Sequence, residues 1–142
     1  MSSIIKMSDA SKIAIHAVAY ILANKNRLVS ASEIADRFNF SEAHLYKVIQ
    51  RLKKSNILNT VRGPKGGIKL SSPQENITLL KVFESIDGTM NSKECVLGTD
   101  ICGSKHCVMG NITQIVNNIV LDYFKKTIIN NLEIIDDLQK QP

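Results

Sequence analysis

Residues 41–52 read Ser-Glu-Ala-His-Leu-Tyr-Lys-Val-Ile-Gln-Arg-Leu, and residues 57–70 read Ile-Leu-Asn-Thr-Val-Arg-Gly-Pro-Lys-Gly-Gly-Ile-Lys-Leu. In the first run Leu45, Val48, Ile49 and Leu52 fall three and four apart, the spacing of one helical face. Ser41 stands where a helix takes its N-terminal cap, so a helix is expected to start there. In the second run the period changes. Residues 57–61 and 68–70 predict two strands, and Arg62-Gly-Pro-Lys-Gly-Gly between them predicts a Gly-rich turn. A helix followed by a basic two-stranded ribbon is the second half of a winged helix-turn-helix.

The flanking sequence completes that pattern. Residues 31–38 predict the preceding helix, capped by Ser30 or Ser32, with Ile34, Ala35 and Phe38 inward and Asn39-Phe40 as the turn. Further upstream, residues 7–23 predict a helix with Ile13, Ala14, Ala17, Val18, Ile21 and Leu22 on one face and Ser8 or Asp9 as its cap. A polar break and a short extended run at 24–29 separate the two. Past Pro73, a short helix is expected over about 78–86, ended by Asp87-Gly88. Ile112, Ile115, Val116, Ile119, Val120, Tyr123 and Phe124 then mark a long amphipathic helix over about 111–126, and a last helical piece carries Ile128, Ile129, Leu132, Ile135 and Leu138. The fold class is mainly α with a small β wing. Its expected divisions are a DNA-binding domain at 1–75, a connecting helix and cysteine loop at 76–110, and a dimerisation helix with a C-terminal helix at 111–142.

Charge separates these regions. Of the 142 residues, 1–75 carry twelve Lys and Arg against five Asp and Glu, a balance of +7, whereas 76–142 carry six against eight, a balance of −2. Positive charge confined to the half with the helix pair and ribbon points to nucleic acid. On the outward face of the helix beginning at Ser41 lie Glu42, Ala43, His44, Tyr46, Lys47, Gln50 and Arg51, and the wing adds Arg62, Lys65 and Lys69. Ser41, His44, Lys47, Arg51 and the three wing cations are the candidate DNA contacts, because Lys and Arg donate to phosphates and guanine acceptors in a major groove.

Other classes are set aside on the same residues. No Gly-Lys-Ser/Thr follows the glycines, so there is no phosphate-binding P-loop. No nucleophile elbow, carboxylate pair or nucleotide fingerprint occurs, and the adjacent Asp136 and Asp137 diverge on a helix, so the chain is not expected to be an enzyme. Seven aromatics and no Trp argue against a carbohydrate cleft or an aromatic cage. The longest apolar stretch, 13–23, is interrupted by His16 and falls short of the ~20 residues of a membrane span. Lys6 and Asp9 break up any apolar run that would open a signal peptide. A soluble cytoplasmic protein with no membrane partner is expected.

Cys95, Cys102 and Cys107 are the three cysteines, in the spacing Cys-x6-Cys-x4-Cys among glycines. An odd count is no disulfide framework, and a Gly-rich polar loop is a poor core. Three thiolates are soft ligands suited to an iron–sulfur cluster or zinc, and Lys93 and Lys105 would stabilise them. Zinc ranks behind because the paired Cys-x2-Cys knuckles are missing. A thiol–disulfide switch needs no metal and ranks between the two. No fourth cysteine exists to complete a four-ligand site, which leaves His106, solvent or a small thiol.

The strings at 41–52 and 57–58, Val61-Arg-Gly-Pro-Lys-Gly-Gly-Ile, Ile77-Thr-Leu-Leu-Lys-Val and the cysteine triad together resemble the superfamily of iron–sulfur cluster regulators and nitric-oxide-sensitive repressors, the IscR/NsrR type. The resemblance covers about residues 7–140. It implies a dimeric winged-helix transcription factor of the bacterial cytoplasm, paired through its long helix. It also implies a [2Fe-2S] or [4Fe-4S] cluster on the cysteines of some members, while others respond to small molecules or partner proteins. Asp9, in Lys6-Met-Ser-Asp, resembles the position from which nitric-oxide-sensitive members supply a carboxylate ligand to the other subunit. The histidine that cluster regulators carry three residues past the last cysteine is Gly110 here, so that ligand does not carry over. The expected function is a homodimeric regulator, a repressor, binding a near-palindromic operator under control of the cluster. The alternative is a cluster-free regulator governed by thiol redox state or a partner protein. A winged-helix module that docks on proteins is a rival class; a small electron carrier would leave the basic wing unexplained.

Overall fold

The computed structural model describes residues 7–72, 76–90, 107–109 and 111–139. The helices are α1 (Asp9–Ala23), α2 (Ala31–Phe38), α3 (Glu42–Lys54), α4 (Leu79–Asp87), α5 (Ile112–Lys126) and α6 (Ile134–Gln139). Two strands, β1 (Leu58–Val61) and β2 (Gly67–Leu70), form an antiparallel ribbon between α3 and α4. A single 3-10 turn, Ile129–Asn131, lies between α5 and α6. This is the expected helix-rich fold with a β wing.

Local chemistry sets the boundaries. Ser8, Ser30, Ser41 and Thr78 cap α1, α2, α3 and α4, each side-chain oxygen accepting a backbone N–H of the first helical turn. Of the paired candidates, Ser8 rather than Asp9 caps α1, and Ser30 rather than Ser32 caps α2. The α2–α3 turn is made by Asn39 in the left-handed region at φ 55°, a conformation Asn tolerates better than most residues.

α1 is the spine of the core. Over Ala17–Ala23 it is buried on every side, the pattern of a helix with no solvent face. It packs against α2, α3, α4, α6 and β2. α3 contributes Leu45, Val48, Ile49 and Leu52 to the same core, α4 adds Leu79, Val82 and Ile86, and α6 adds Ile135 and Leu138. Two edges join through pairs of backbone bonds. Val29 N–H donates to Ile68 O (3.0 Å) and Ile68 N–H returns to Val29 O (2.7 Å), which ties the run before α2 to the wing. Leu79 N–H donates to Thr127 O (3.0 Å) and Ile129 N–H to Ile77 O (2.8 Å), which ties the start of α4 to the end of α5.

Polar contacts close the two ends of α1. At its start, the Ser8 and Ser11 hydroxyls each donate to one oxygen of Asp87, both at 2.7 Å. Ser11 is fully buried, so its hydroxyl depends on that carboxylate for its partner. At the other end, Glu33 accepts from Arg27 through both carboxylate oxygens and from the Tyr20 hydroxyl at 2.7 Å. Arg27 first, and Tyr20 with it, hold the Glu33 carboxyl below the usual glutamate range.

A carboxyl whose folded-state pKa is depressed adds stability above its unfolded value, ~4.3, and that stability is lost as pH falls through the folded value. Glu33→Gln is therefore expected to unfold at lower urea than the parent at pH 7. The gap should begin to shrink as pH falls below about 4 and go on closing as the pH falls through the lower folded-state value. A gap that stays constant down to that pH would show that the charge on Glu33 contributes nothing.

Candidate nucleic-acid interface

The four core residues of α3 fix which side of that helix faces out. Opposite Leu45, Val48, Ile49 and Leu52 lie Ala43, Lys47, Gln50 and Lys54, all exposed and spaced three and four apart. His44 and Arg51 occupy one flank of this crest, with His44 half-buried. Tyr46, 52% exposed, occupies the other. His44, Lys47 and Arg51 are the candidate contacts expected on the outward face of this helix. In the structure Lys47 stands on the crest and the other two on its side.

The flanks have different neighbours. Lys53, seven residues from Tyr46 and therefore on its side of the helix, donates from Nζ to Thr60 Oγ1 of β1 at 2.8 Å. That side faces the wing. The flank of His44 faces the start of α1, where Asp9 is paired with Lys12 at 3.0 Å. The Lys12 ammonium holds the Asp9 carboxyl below the usual aspartate range, with a smaller contribution from His44.

The wing is a tight device. Leu58 pairs with Leu70 and Val61 with Gly67, and Gly66 N–H donates to Gly63 O at 2.9 Å inside the turn. Gly63 has φ 110°, which L side chains rarely adopt, and a Cβ on Gly66 would overlap the Val61 carbonyl oxygen. The two glycines are required by this turn. Arg62, Lys65 and Lys69 are all exposed along it.

Ser41 is exposed at the start of α3, its Oγ accepting the His44 N–H at 3.4 Å. A hydroxyl that accepts still has a hydrogen to donate to a phosphate, and a helix N-terminus favours anions. Cys107 is exposed, and its Sγ accepts the Met109 N–H at 3.4 Å. Cys95 and Cys102, with Lys93, Lys105, His106 and Gly110, lie outside the described residues. Asp9 is exposed in the first turn of α1. His16 packs edge-on against Phe38 with ring centroids 5.3 Å apart.

α5 buries none of its residues, and Ile112, Ile115, Ile119 and Tyr123 are exposed on it. The structure thus leaves apolar side chains in water at the spacing of one helical face. Among the described residues, no helix is long and apolar enough to cross a membrane.

Comparison with known proteins agrees with this geometry. The family model Rrf2, described as an iron-dependent transcriptional regulator, matches residues 7–133. The HTH-type transcriptional regulator NsrR of Bacillus licheniformis is 34% identical over 122 residues, covering 81% of this chain and 85% of the relative. The regulator IscR of Cereibacter sphaeroides is 31% identical over 105 residues, covering 70% and 68%. Among solved structures, CymR of B. subtilis, titled the global cysteine regulator, superposes with a TM-score of 0.73 at 16% identity, covering 98% of this chain and all of that one. These relatives are transcriptional regulators and not enzymes, as the residues had indicated.

The cap of α3 separates stability from binding. Ser41→Ala is expected to cost about 0.5–2 kcal/mol in urea unfolding. Ser41→Asp keeps a capping oxygen and should recover most of that loss. It also sets a carboxylate where a phosphate would approach, so its affinity for duplex DNA should fall below that of Ser41→Ala. Equal affinities would remove this helix end from the DNA interface.

Proposed function

The chain belongs to the Rrf2 family of DNA-binding transcriptional regulators, and we propose that it is a cytoplasmic homodimeric repressor whose hold on a near-palindromic operator is set by an iron–sulfur cluster. The observation that carries the DNA part is the exposure of five cations on the outward side of α3 and on the wing that follows it: Lys47, Arg51, Arg62, Lys65 and Lys69. Two α3 helices in successive major grooves need a spacing of about one turn, ~34 Å. The apolar face of α5 supports the pairing that would supply it. Covering side chains such as Ile112, Ile115 and Ile119 gains roughly 1.5–3 kcal/mol each, so two copies meeting along α5 would remove a standing cost.

The cluster, [2Fe-2S] or [4Fe-4S], would be held by Cys95, Cys102 and Cys107, with Asp9 of the partner subunit as the fourth ligand. The donor set fits: three soft thiolates with one hard carboxylate. Cys107 is accessible, and the Met109 N–H is directed at its Sγ. The Asp9 carboxylate is held by an exposed pair with Lys12, a contact weak enough to exchange for another ligand. A bound cluster supplies redox and ligand-exchange chemistry at iron. The protein's share would be to supply the three cysteine ligands, to present Asp9 across the interface and to carry α3 on the same core as α1. Two states that differ by a ~1–3 kcal/mol coupling shift operator affinity ~5–150-fold.

Purification without oxygen, with iron and acid-labile sulfide measured per protomer, is expected to give a coloured protein with stoichiometric iron and sulfide. Substituting Cys95, Cys102 or Cys107 by Ala should abolish both. A colourless protein that resists reconstitution and still binds duplex would transfer control to thiol redox state or a partner protein.

DNA binding by the wing is read from salt. Arg62→Ala and Lys65→Ala should each lower the slope of log affinity against log salt by about one. An unchanged slope would take the wing off the DNA.

A further inference from the structure

The exposed surface of α3 is not uniformly cationic. Between Lys47, Arg51 and Lys54 on one side and the wing cations on the other runs an uncharged strip: Ala43, Tyr46 and Gln50. Ala43 and Gln50 stand on the crest, directly opposite the buried face, and Tyr46 stands next to both at helical spacings of three and four. Lys53, the cation nearest this strip on the wing side, is engaged with Thr60. The strip is thus the part of the helix that goes deepest into a groove without carrying a charge to neutralise phosphate.

We infer that Gln50 and Tyr46 are specificity-determining residues that read adjacent A·T pairs in each half-site of the operator, Gln50 contacting adenine and Tyr46 the neighbouring thymine methyl. The inference rests on the DNA-binding reading above. A Gln carboxamide matches adenine in the major groove, Oε1 accepting from N6 and Nε2 donating to N7, and no other base presents that pair of groups. A phenol ring offers apolar surface to the C5-methyl that distinguishes thymine. Their separation of one helical turn, about 5–6 Å between Cβ atoms, suits contact with successive base pairs. Ala43, with only a methyl group, lets the first turn of α3 approach the base edges. The flanking Lys and Arg side chains can bind any phosphate, so they add affinity with little discrimination.

The test is selection of preferred duplexes from a randomised pool by the full chain, prepared without oxygen, and by three variants. The parent is expected to enrich a two-fold motif with adjacent A·T pairs in each half. Gln50→Ala should lose the preference for adenine at one position per half-site, a drop in discrimination of roughly 5–150-fold, with the other positions unchanged. Gln50→Glu should move that position towards cytosine, whose N4 donates to a carboxylate. Replacing the neighbouring thymine by uracil should weaken the parent about 4-fold, the worth of one methyl group, and should leave Tyr46→Ala unaffected. Both residues are exposed and outside the core, so melting temperatures of the variants should match the parent and exclude misfolding as the cause. If every variant enriches the parent's motif and merely binds it more weakly, the inference is overturned while the DNA-binding reading stands. If the parent enriches no motif at all, both are overturned.

Discussion

Everything about this fold follows from the burial of α1. A helix that is buried all round from Ala17 to Ala23 must have partners on all sides, and here they are drawn from both ends of the chain. α2 and α3 meet it from the N-terminal half, and α4 and α6 from the C-terminal half. Ala14 and Ala17, both fully buried, keep its surface low enough for close approach. The outward side of α3 is therefore a consequence of packing. Once Leu45, Val48, Ile49 and Leu52 are committed to the core, Ala43, Lys47, Gln50 and Lys54 have no option except to point outward. Deleting any of the four large side chains would cost about 2–5 kcal/mol, a large share of the 5–15 kcal/mol that typically holds a domain together. The orientation of the reading surface is as firmly set as the core itself.

How much of this was legible in the sequence differs by element. α3 and the wing could be read almost residue by residue, because a three-and-four apolar spacing and a Gly-rich turn are local signals. The backbone bridges Val29–Ile68 and Thr78–Ile128 could not. Each joins residues far apart in sequence and uses main-chain atoms, which every residue type carries. The polar knot of Ser8, Ser11 and Asp87 was hidden for a related reason: Ser8 reads as a cap and Asp87 as a helix end, and both readings hold without revealing that they meet. The choice between Ser8 and Asp9 as the cap of α1 needed the backbone itself.

The candidate site shows the same division. Charge is visible in sequence, so the basic residues of α3 and the wing stood out at once. What charge does not reveal is position relative to the core, and of the candidate contacts His44, Lys47 and Arg51 only Lys47 stands on the crest, with the other two on its flank. The neutral members of the crest, Ala43 and Gln50, carry no compositional signal. A search for nucleic-acid contacts that begins from Lys and Arg passes over them, although discrimination between bases is made by hydrogen-bond pattern and shape. The hidden signal was the inward face: the crest lies half a turn round the helix from the stripe of Leu45, Val48, Ile49 and Leu52.

The connections around α4 explain how one core can carry both a reading head and an unpartnered helix. α4 touches α1 and α3 on one side and α5 on the other, and Phe83 meets Phe124 edge-to-face at 5.8 Å. The paired backbone bonds at Thr78 and Ile128 fix the start of α4 to the end of α5, so the remaining length of each helix runs away from a common anchor. With a rise of about 1.5 Å per residue, the fifteen residues of α5 extend well past the nine of α4. Ile112, Ile115, Ile119 and Tyr123 are nonetheless all exposed, so the contact with α4 leaves that face of α5 uncovered along its whole length. At the far end of α4, Asp87 is gripped by Ser8 and Ser11, one residue on either side of Asp9 and next to Asp9's partner, Lys12. Backbone bonds thus join α5 to α4, and the two hydroxyl bonds join α4 to the start of α1. α3 shares the core with α1, so the exposed apolar helix and the outward face of α3 are connected through an unbroken series of contacts.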